Sequence, residues 1–304
     1  MKVLILAFSD WANMGNILTK CLLSVGVDAK FYTQNPTTRL KKGESVSKRQ
    51  AINFSKNCDI IQYMHSVKVK IPIDLKGKKV VVYHGGSKYR QNSKRLNSFW
   101  NPIINCAIIQ TYDLYGLGAK NEKWLLPPID TKNLRAVYKT KNKNIIVGHY
   151  PSSEKEKGSQ IIQRNIDFIK KEIPNFEYKF SSDRVLWEDQ IKRLQDVDIY
   201  IEMMKLKQGD RQYGHWGMSA LEAAALGKIV ITNFFGYEEY IKQYGKCALK
   251  VANNEKELTD ILIKLLNMPV EELIKLKIAT RKWVEKNHSY HVVGSKLRSI
   301  YESL

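Results

Sequence analysis

The stretch GHWGMSALEAAALGKIVITN, residues 214–233, reads as a turn, a helix and a strand in quick succession. Gly217 precedes a helical run over residues 218–226, and Gly227 follows it as a C-terminal cap. Ile229, Val230 and Ile231 then form a buried apolar strand. A glycine just ahead of a helix lets a ligand approach the free N–H groups of the first turn, and those donors together with the helix dipole suit a phosphate. Ser219 adds a hydroxyl to that turn, beside the N–H groups of Gly217, Met218 and Ser219. Glu222 lies about one turn further on, where a carboxylate repels phosphate but accepts hydrogen bonds from two ribose hydroxyls. The competing reading is an amphipathic helix with Glu222 in solvent. The small or apolar neighbours Ala220, Leu221, Ala223, Ala224 and Ala225 weigh against it, because an unpaired buried carboxylate is costly.

Working outward, short apolar runs alternate with helical patterns through the whole chain. In the first half the runs cover residues 3–8, 29–33, 59–63, 79–83, 105–110 and 123–126, with a helical pattern over 16–25 that stops at Gly26. In the second half they cover 144–150, 176–180, 197–203, 229–232 and 247–251, with helical patterns over 160–173, 187–195 and 218–226 between them. The rhythm of strand, helix and strand predicts parallel βαβ units in open, doubly wound sheets. The polar, lysine-rich stretch 127–144 begins with Pro-Pro and reads as an interdomain linker. Helical patterns over 255–267, 270–286 and 290–304 complete the chain. The expectation is therefore an α/β protein of two Rossmann-like domains, residues 1–136 and 137–286, with a terminal helix over 287–304.

Ligands in such sheets bind beyond the carboxyl ends of the strands. A second constellation falls at one of these ends, VGHYPSSEKEKGSQII, residues 147–162. His149 leaves the strand, and Lys157-Gly158 precede the next helix. A lysine there can reach a diphosphate, and His149 can donate to it. On its residues alone this segment reads equally well as a charged, solvated loop.

Together the two constellations resemble the donor domain of the retaining GT-B glycosyltransferases of family 4, the glycosyl transferases group 1. The resemblance is carried by GMSALEAAALGKIVIT (217–232) and VGHYPSSEKEKGS (147–159), with DVDIYI (196–201) between them and FGYEEYI (235–241) after them. The segment VVVYHGGSKYR (80–90) resembles the family's strand-and-histidine loop, and HSYHVVGSKLRSIYESL (288–304) its terminal helix. The resemblance implies a GT-B fold, two Rossmann-like domains facing a central cleft, with the C-terminal helix returning to the first domain. It implies transfer of a hexose with retention from a nucleotide-diphosphate sugar, UDP- or GDP-linked, without a metal or other cofactor. By position, Glu222 would hold the ribose, and Lys157 would neutralise the departing diphosphate, helped by Gly217, Met218 and Ser219. His84 would touch the sugar, and Gly15, in WANMGNI (11–17), would lie beneath the phosphates or sugar. Two positions depart from the family pattern. Many members have a glutamate eight residues before the ribose-binding one, where this chain has Gly214, and His149 stands where an arginine is common.

The charge points to the other substrate. The formal net charge is +20, and residues 1–140 hold 23 Lys and Arg against 8 Asp and Glu, a difference of +15. Such a half attracts an anionic glycan, a lipid-linked saccharide, an acidic membrane surface or nucleic acid, though a lysine-rich surface also serves solubility alone. Lys88, Arg90, Lys94 and Arg95 form one basic group, and Lys41, Lys42, Lys48 and Arg49 another. Lys88 and Arg90 are candidate acceptor-side residues. Glu202, at the end of IYIEMM, is a candidate carboxylate on the acceptor side or in place of the one missing at Gly214. The alternatives are a glycosyltransferase that modifies nucleic acid, or an inactive scaffold that binds nucleic acid or anionic glycan.

Other signals exclude more than they suggest. No apolar run approaches the roughly 18 residues of a membrane span. The start MKVLILAFSD reads as a first strand rather than a leader. The four cysteines are scattered without metal-ligand spacing, so a cytoplasmic protein, peripheral at most at the inner membrane face, is expected. Asp196-Val197-Asp198 reads as a helix cap and a strand start rather than a metal-binding DxD. His288 and His291 lack a third ligand.

Overall fold

The computed structural model describes residues 1–36, 43–138, 144–209 and 211–304. They divide into two compact units, Met1–Pro128 with His288–Leu304, and Ile129–Asn287. The basic pair Lys41 and Lys42 lies outside the described residues.

The first unit contains β1 (Lys2–Ser9), α1 (Met14–Leu23), β2 (Asp28–Asn35), α2 (Lys48–Ser55), β3 (Ile60–Tyr63), β4 (Lys79–His84), α3 (Gly86–Trp100), β5 (Cys106–Ile109) and β6 (Glu122–Trp124). The strands form one sheet in the order β2-β1-β3-β4-β5-β6, paired in parallel throughout. The run Val3 to Ala7 is buried on both faces, as the inner strand of a parallel sheet covered on both sides demands. The order reverses at β1, which has β2 on one side and β3 on the other.

The second unit contains β7 (Ile145–His149), α4 (Glu154–Lys157), α5 (Ser159–Glu172), β8 (Phe176–Phe180), α6 (Trp187–Gln195), β9 (Ile199–Met203), β10 (Lys207–Gln208), β11 (Arg211–Gln212), α7 (Met218–Ala225), β12 (Ile229–Thr232), α8 (Tyr237–Tyr244), β13 (Lys250–Val251), α9 (Glu255–Leu266) and α10 (Val270–His288). Its main sheet runs β13-β12-β9-β7-β8, again with parallel pairing, and reverses at β7. Strands β10 and β11 form a separate antiparallel hairpin. The core gathers Ile162, Ile166 and Ile169 of α5 with Ile199, Ile201 and Ile229 of the sheet.

The last helix, α11 (Tyr290–Glu302), belongs to the first unit. It packs on α1 and buries Val293, Leu297 and Tyr301. The Tyr301 hydroxyl donates to Gln62 Oε1 on β3, which satisfies both polar groups in the interior. Burying side chains of this size contributes roughly 1.5–3 kcal/mol each, which suffices to fix a helix that follows the second unit in sequence.

The architecture is the α/β arrangement of two parallel, Rossmann-like sheets that the alternating pattern predicts. The described part of the stretch read as a linker, residues 127–138, is packed rather than loose. Ile129 and Leu134 are buried in the second unit. The Arg281 guanidinium donates to the carbonyls of Leu134 (2.7 Å), Thr131 and Ala225. One arginine of α10 thereby satisfies carbonyls of the irregular segment and of the C-terminal end of α7.

Candidate active site

In the second unit the sheet reversal places the carboxyl ends of β7 and β9 side by side, and the segments that follow them carry the charged groups. After β7 the short helix α4 ends at Lys157. Gly158 then takes a left-handed conformation (φ +68°), and a Cβ there would meet the Met204 carbonyl oxygen at 2.4 Å. The Met204 N–H donates to the Lys157 carbonyl (2.8 Å), so the backbone bearing Lys157 is fastened to the end of β9.

The Lys157 ammonium donates to Glu202 Oε1. The same oxygen accepts from the N–H of Gly217, the N-cap of α7 (3.1 Å). Burial alone pushes the Glu202 carboxyl up. The charge and hydrogen bond of Lys157, the Gly217 N–H and the nearby His215 outweigh it and hold the group below the usual carboxylate value. Lys157, Glu202 and the start of α7 thus form one cluster, in which Gly217, Met218 and Ser219 are half-buried. Glu222 is buried rather than in solvent, and its Oε1 accepts from Trp187 Nε1 at the start of α6 (2.7 Å). Sequence reasoning did not single out Trp187. Its only trace is a tryptophan opening an amphipathic helix.

His149 is used differently from its sequence expectation. It is fully buried, Nδ1 lies 2.8 Å from the Ile201 carbonyl, and Nε2 lies 2.8 Å from Ser159 Oγ. A carbonyl only accepts, so Nδ1 carries the proton and Nε2 accepts from the serine. Burial lowers its pKa to about 4. A neutral imidazole with both nitrogens bonded has no proton left for a phosphate. Instead it ties β7, β9 and the start of α5 together.

Gly214 has a structural reason. Its φ is +145°, and a Cβ there would lie 2.0 Å from Asn233 Nδ2. Asn233 donates to the carbonyls of Lys205 (2.8 Å) and Tyr213 (2.7 Å) and accepts from the Lys205 N–H (3.2 Å). The asparagine that binds this loop together fills the space of a side chain at 214.

The first unit gathers a different group. Asp10, buried after β1, accepts from the N–H groups of Gly15 (2.7 Å) and Asn16 (3.1 Å), so Gly15 already has a carboxylate on its amide. His65 Nε2 lies 3.4 Å from the same carboxylate. His84 is fully buried at the end of β4, with Nδ1 2.7 Å from Ser66 Oγ and its ring stacked on Tyr89 at 3.9 Å. Burial lowers its pKa to about 3, so it is neutral. Of the acceptor-side candidates, Lys88 is half-buried on α3 and Arg90 donates to Asp113 (2.5 Å). Asp10 and His65 went unnoticed in the sequence because they belong to separate loops.

The two aspartates of the DxD do structural work. Asp196 caps α6, and buried Asp198 accepts from the Ile146 N–H (3.0 Å) and from Lys277 Nζ (2.6 Å). Among the described residues no group of three or more His, Cys, Asp or Glu is placed to hold a metal ion. All four cysteines are buried, and none forms a disulfide. Among the described residues no helix is long and apolar enough to cross a membrane.

A family model described as Glycosyl transferases group 1 matches residues 132–283, half of the chain. The chain belongs to this family. Within the group 1 match lie Lys157, Glu202, α7 and Glu222, the whole cluster of the second unit. No curated protein matches the chain in sequence. Solved structures share the fold. HepE of Anabaena in complex with UDP-glucose superposes with a TM-score of 0.64 at 12% identity, covering 100% of both chains. Sucrose-phosphate synthase from Thermosynechococcus elongatus gives a TM-score of 0.62 at 10% identity, covering 100% of this chain and 99% of that one. TarM gives 0.57 at 12% identity, covering 80% of this chain and 54% of that one. This group 1 glycosyltransferase therefore has a GT-B fold.

Proposed function

We propose that this glycosyltransferase moves a hexose from a UDP-linked sugar to an anionic acceptor, a glycan or lipid-linked saccharide, with retention and without a metal. The observation that carries the reading is the cluster in the second unit. The Lys157 ammonium stands at the first N–H groups of α7, and Glu222 sits buried one turn further on. Cation and helix N-terminus suit a diphosphate, and the carboxylate suits ribose hydroxyls. That HepE was solved with UDP-glucose favours uridine over guanosine.

In this reading the bond between the anomeric carbon and the diphosphate oxygen breaks. The acceptor hydroxyl bonds to that carbon on the face the leaving group vacates, and its proton passes to the departing phosphate. Lys157 and the amides of Gly217, Met218 and Ser219 stabilise the charge that grows on the phosphate. His84, neutral and enclosed by Ser66 and Tyr89, is left as a contact that needs those partners to release it. The chemistry rests on Lys157. The excess charge of +15 over residues 1–140 supports an acidic acceptor and attachment to an acidic membrane face, in polysaccharide or glycolipid synthesis.

The test is a panel of UDP- and GDP-sugars, scored for sugar release or transfer, with Lys157→Ala beside the wild type. Lys157→Ala should lower turnover by about a hundredfold or more, as loss of a transition-state cation does, while the folded state persists. Unchanged turnover would sink the assignment. A protein that neither cleaves nor binds any nucleotide sugar, yet binds DNA or anionic glycan in a salt-dependent way, would be the inactive scaffold.

A further inference from the structure

Glu202 is the buried charge that the proposed reaction leaves unused. It is 1% exposed at the end of β9. Its Oε1 takes both donors a phosphate needs at this point, the Lys157 ammonium and the Gly217 N–H. Its Oε2 is buried, and the Tyr200 hydroxyl is a further hydrogen-bonding neighbour of the carboxylate. The fit depends on the glycine, because a Cβ at 217 would lie 2.6 Å from Glu202 Oε1 and 3.3 Å from Lys157 Nζ. A carboxylate therefore sits where the cation and the positive end of α7 converge, the place best suited to an anion from outside.

We infer that Glu202 is a built-in competing anion, which a diphosphate displaces on binding and which returns to Lys157 as the nucleoside diphosphate leaves. The inference rests on the reading that this cluster takes a nucleotide diphosphate. A lysine at 19% exposure and a helix N-terminus here are two positive groups side by side, and Glu202 neutralises both. An incoming ligand gains only the difference between its own charge and the carboxylate's. A diphosphate, with more charge and more acceptor oxygens, gains on the exchange, whereas a singly charged phosphodiester gains little. Glu202 therefore selects for the diphosphate and keeps the product from binding too tightly.

The test is Glu202→Gln, which keeps the shape and removes the charge. Binding of UDP, GDP, uridine and inorganic pyrophosphate is measured by calorimetry on the wild type and the variant. UDP and pyrophosphate should bind about tenfold more tightly to the variant, since one repelling charge a few ångströms away is gone. Uridine, which has no phosphate, should bind unchanged. Glu202→Asp, whose shorter arm draws the charge back, should show a smaller tightening and provides the same readout if the glutamine variant does not fold. UDP binding that is unchanged or weaker in both variants overturns the inference, as does parallel weakening of UDP and uridine, which marks a purely structural role. If the wild type binds neither UDP nor GDP, the donor reading fails on its own, while pyrophosphate, which needs no base, still reports on Glu202.

Discussion

Giving the chain the glutamate that many relatives have at position 214 should damage it. Gly214 has φ +145°, and any side chain there would start 2.0 Å from Asn233 Nδ2. A non-glycine residue in such a backbone region costs roughly 1–3 kcal/mol. Moving Asn233 aside also breaks its bonds to the Lys205 and Tyr213 carbonyls and from the Lys205 N–H. Each is worth about 1 kcal/mol net. Gly214→Ala should therefore lose about 4–6 kcal/mol, a large share of the 5–15 kcal/mol that holds a typical domain together. Gly214→Glu should lose at least as much, and turnover with it. Urea unfolding followed through tryptophan fluorescence measures the loss, since Trp216 lies two residues away. Asn233→Ala supplies the second edge of a double-mutant cycle. Gly214→Ala should cost markedly less in that background, because the clash is gone and only the backbone term remains. The reasoning fails if Gly214→Ala costs less than about 1 kcal/mol, below the backbone term alone, or if Gly214→Glu raises turnover.

Three further outcomes follow from buried charges and rings. Lys277→Ala strands Asp198, which also holds the Ile146 N–H at the start of β7, and should cost about 3–5 kcal/mol. A loss below 1 kcal/mol in chemical denaturation would show that the pair carries no such load. Trp187→Phe removes the donor to Glu222, so the affinity for UDP should fall several-fold while Lys157-dependent pyrophosphate binding stays. Equal loss of both ligands would place Trp187 in the general packing instead. His149 has its folded pKa lowered to about 4 from 6.5, so between these values the unfolded chain binds the extra proton. Stability is then full above pH 6.5 and falls towards pH 4, by up to about 3 kcal/mol for this group, and His84 and His288 add to the slope in the other unit. A flat profile of unfolding free energy between pH 7 and 5 would contradict it.

The strands and the cluster on α7 were legible because they are local. Runs such as Val3 to Ala7 and Ile229 to Ile231 are apolar throughout, which only strands buried on both faces require. Gly217 and Glu222 are separated by about one helical turn, so the helix itself puts them at the same end. Helices α2 and α3 were not foreseen. In α3 only Tyr89, Leu96 and Trp100 anchor a face of otherwise polar residues, and the lysines and arginines among them read as a basic group without a helical period. The hairpin β10–β11 is too short to leave a pattern of alternation.

The sequence by itself determined the βαβ rhythm, the two tandem sheets and the candidate phosphate-and-ribose helix, since each depends on residues a few positions apart. The tertiary structure decided which charges meet. Lys157 and Glu202 are 45 residues apart and come together through the parallel pairing of β7 with β9. Gly214 and Asn233, Trp187 and Glu222, and His149 and Ile201 are likewise brought together only by tertiary packing. The sequence singled out His149 as a phosphate donor, and only its buried partners make it a neutral strut. It offered Glu202 as a carboxylate without a place, and packing seats it on the cation and helix end where an anion would bind. Hydrophobic period is written along the chain, but the environment that sets a charge is assembled from segments far apart in it.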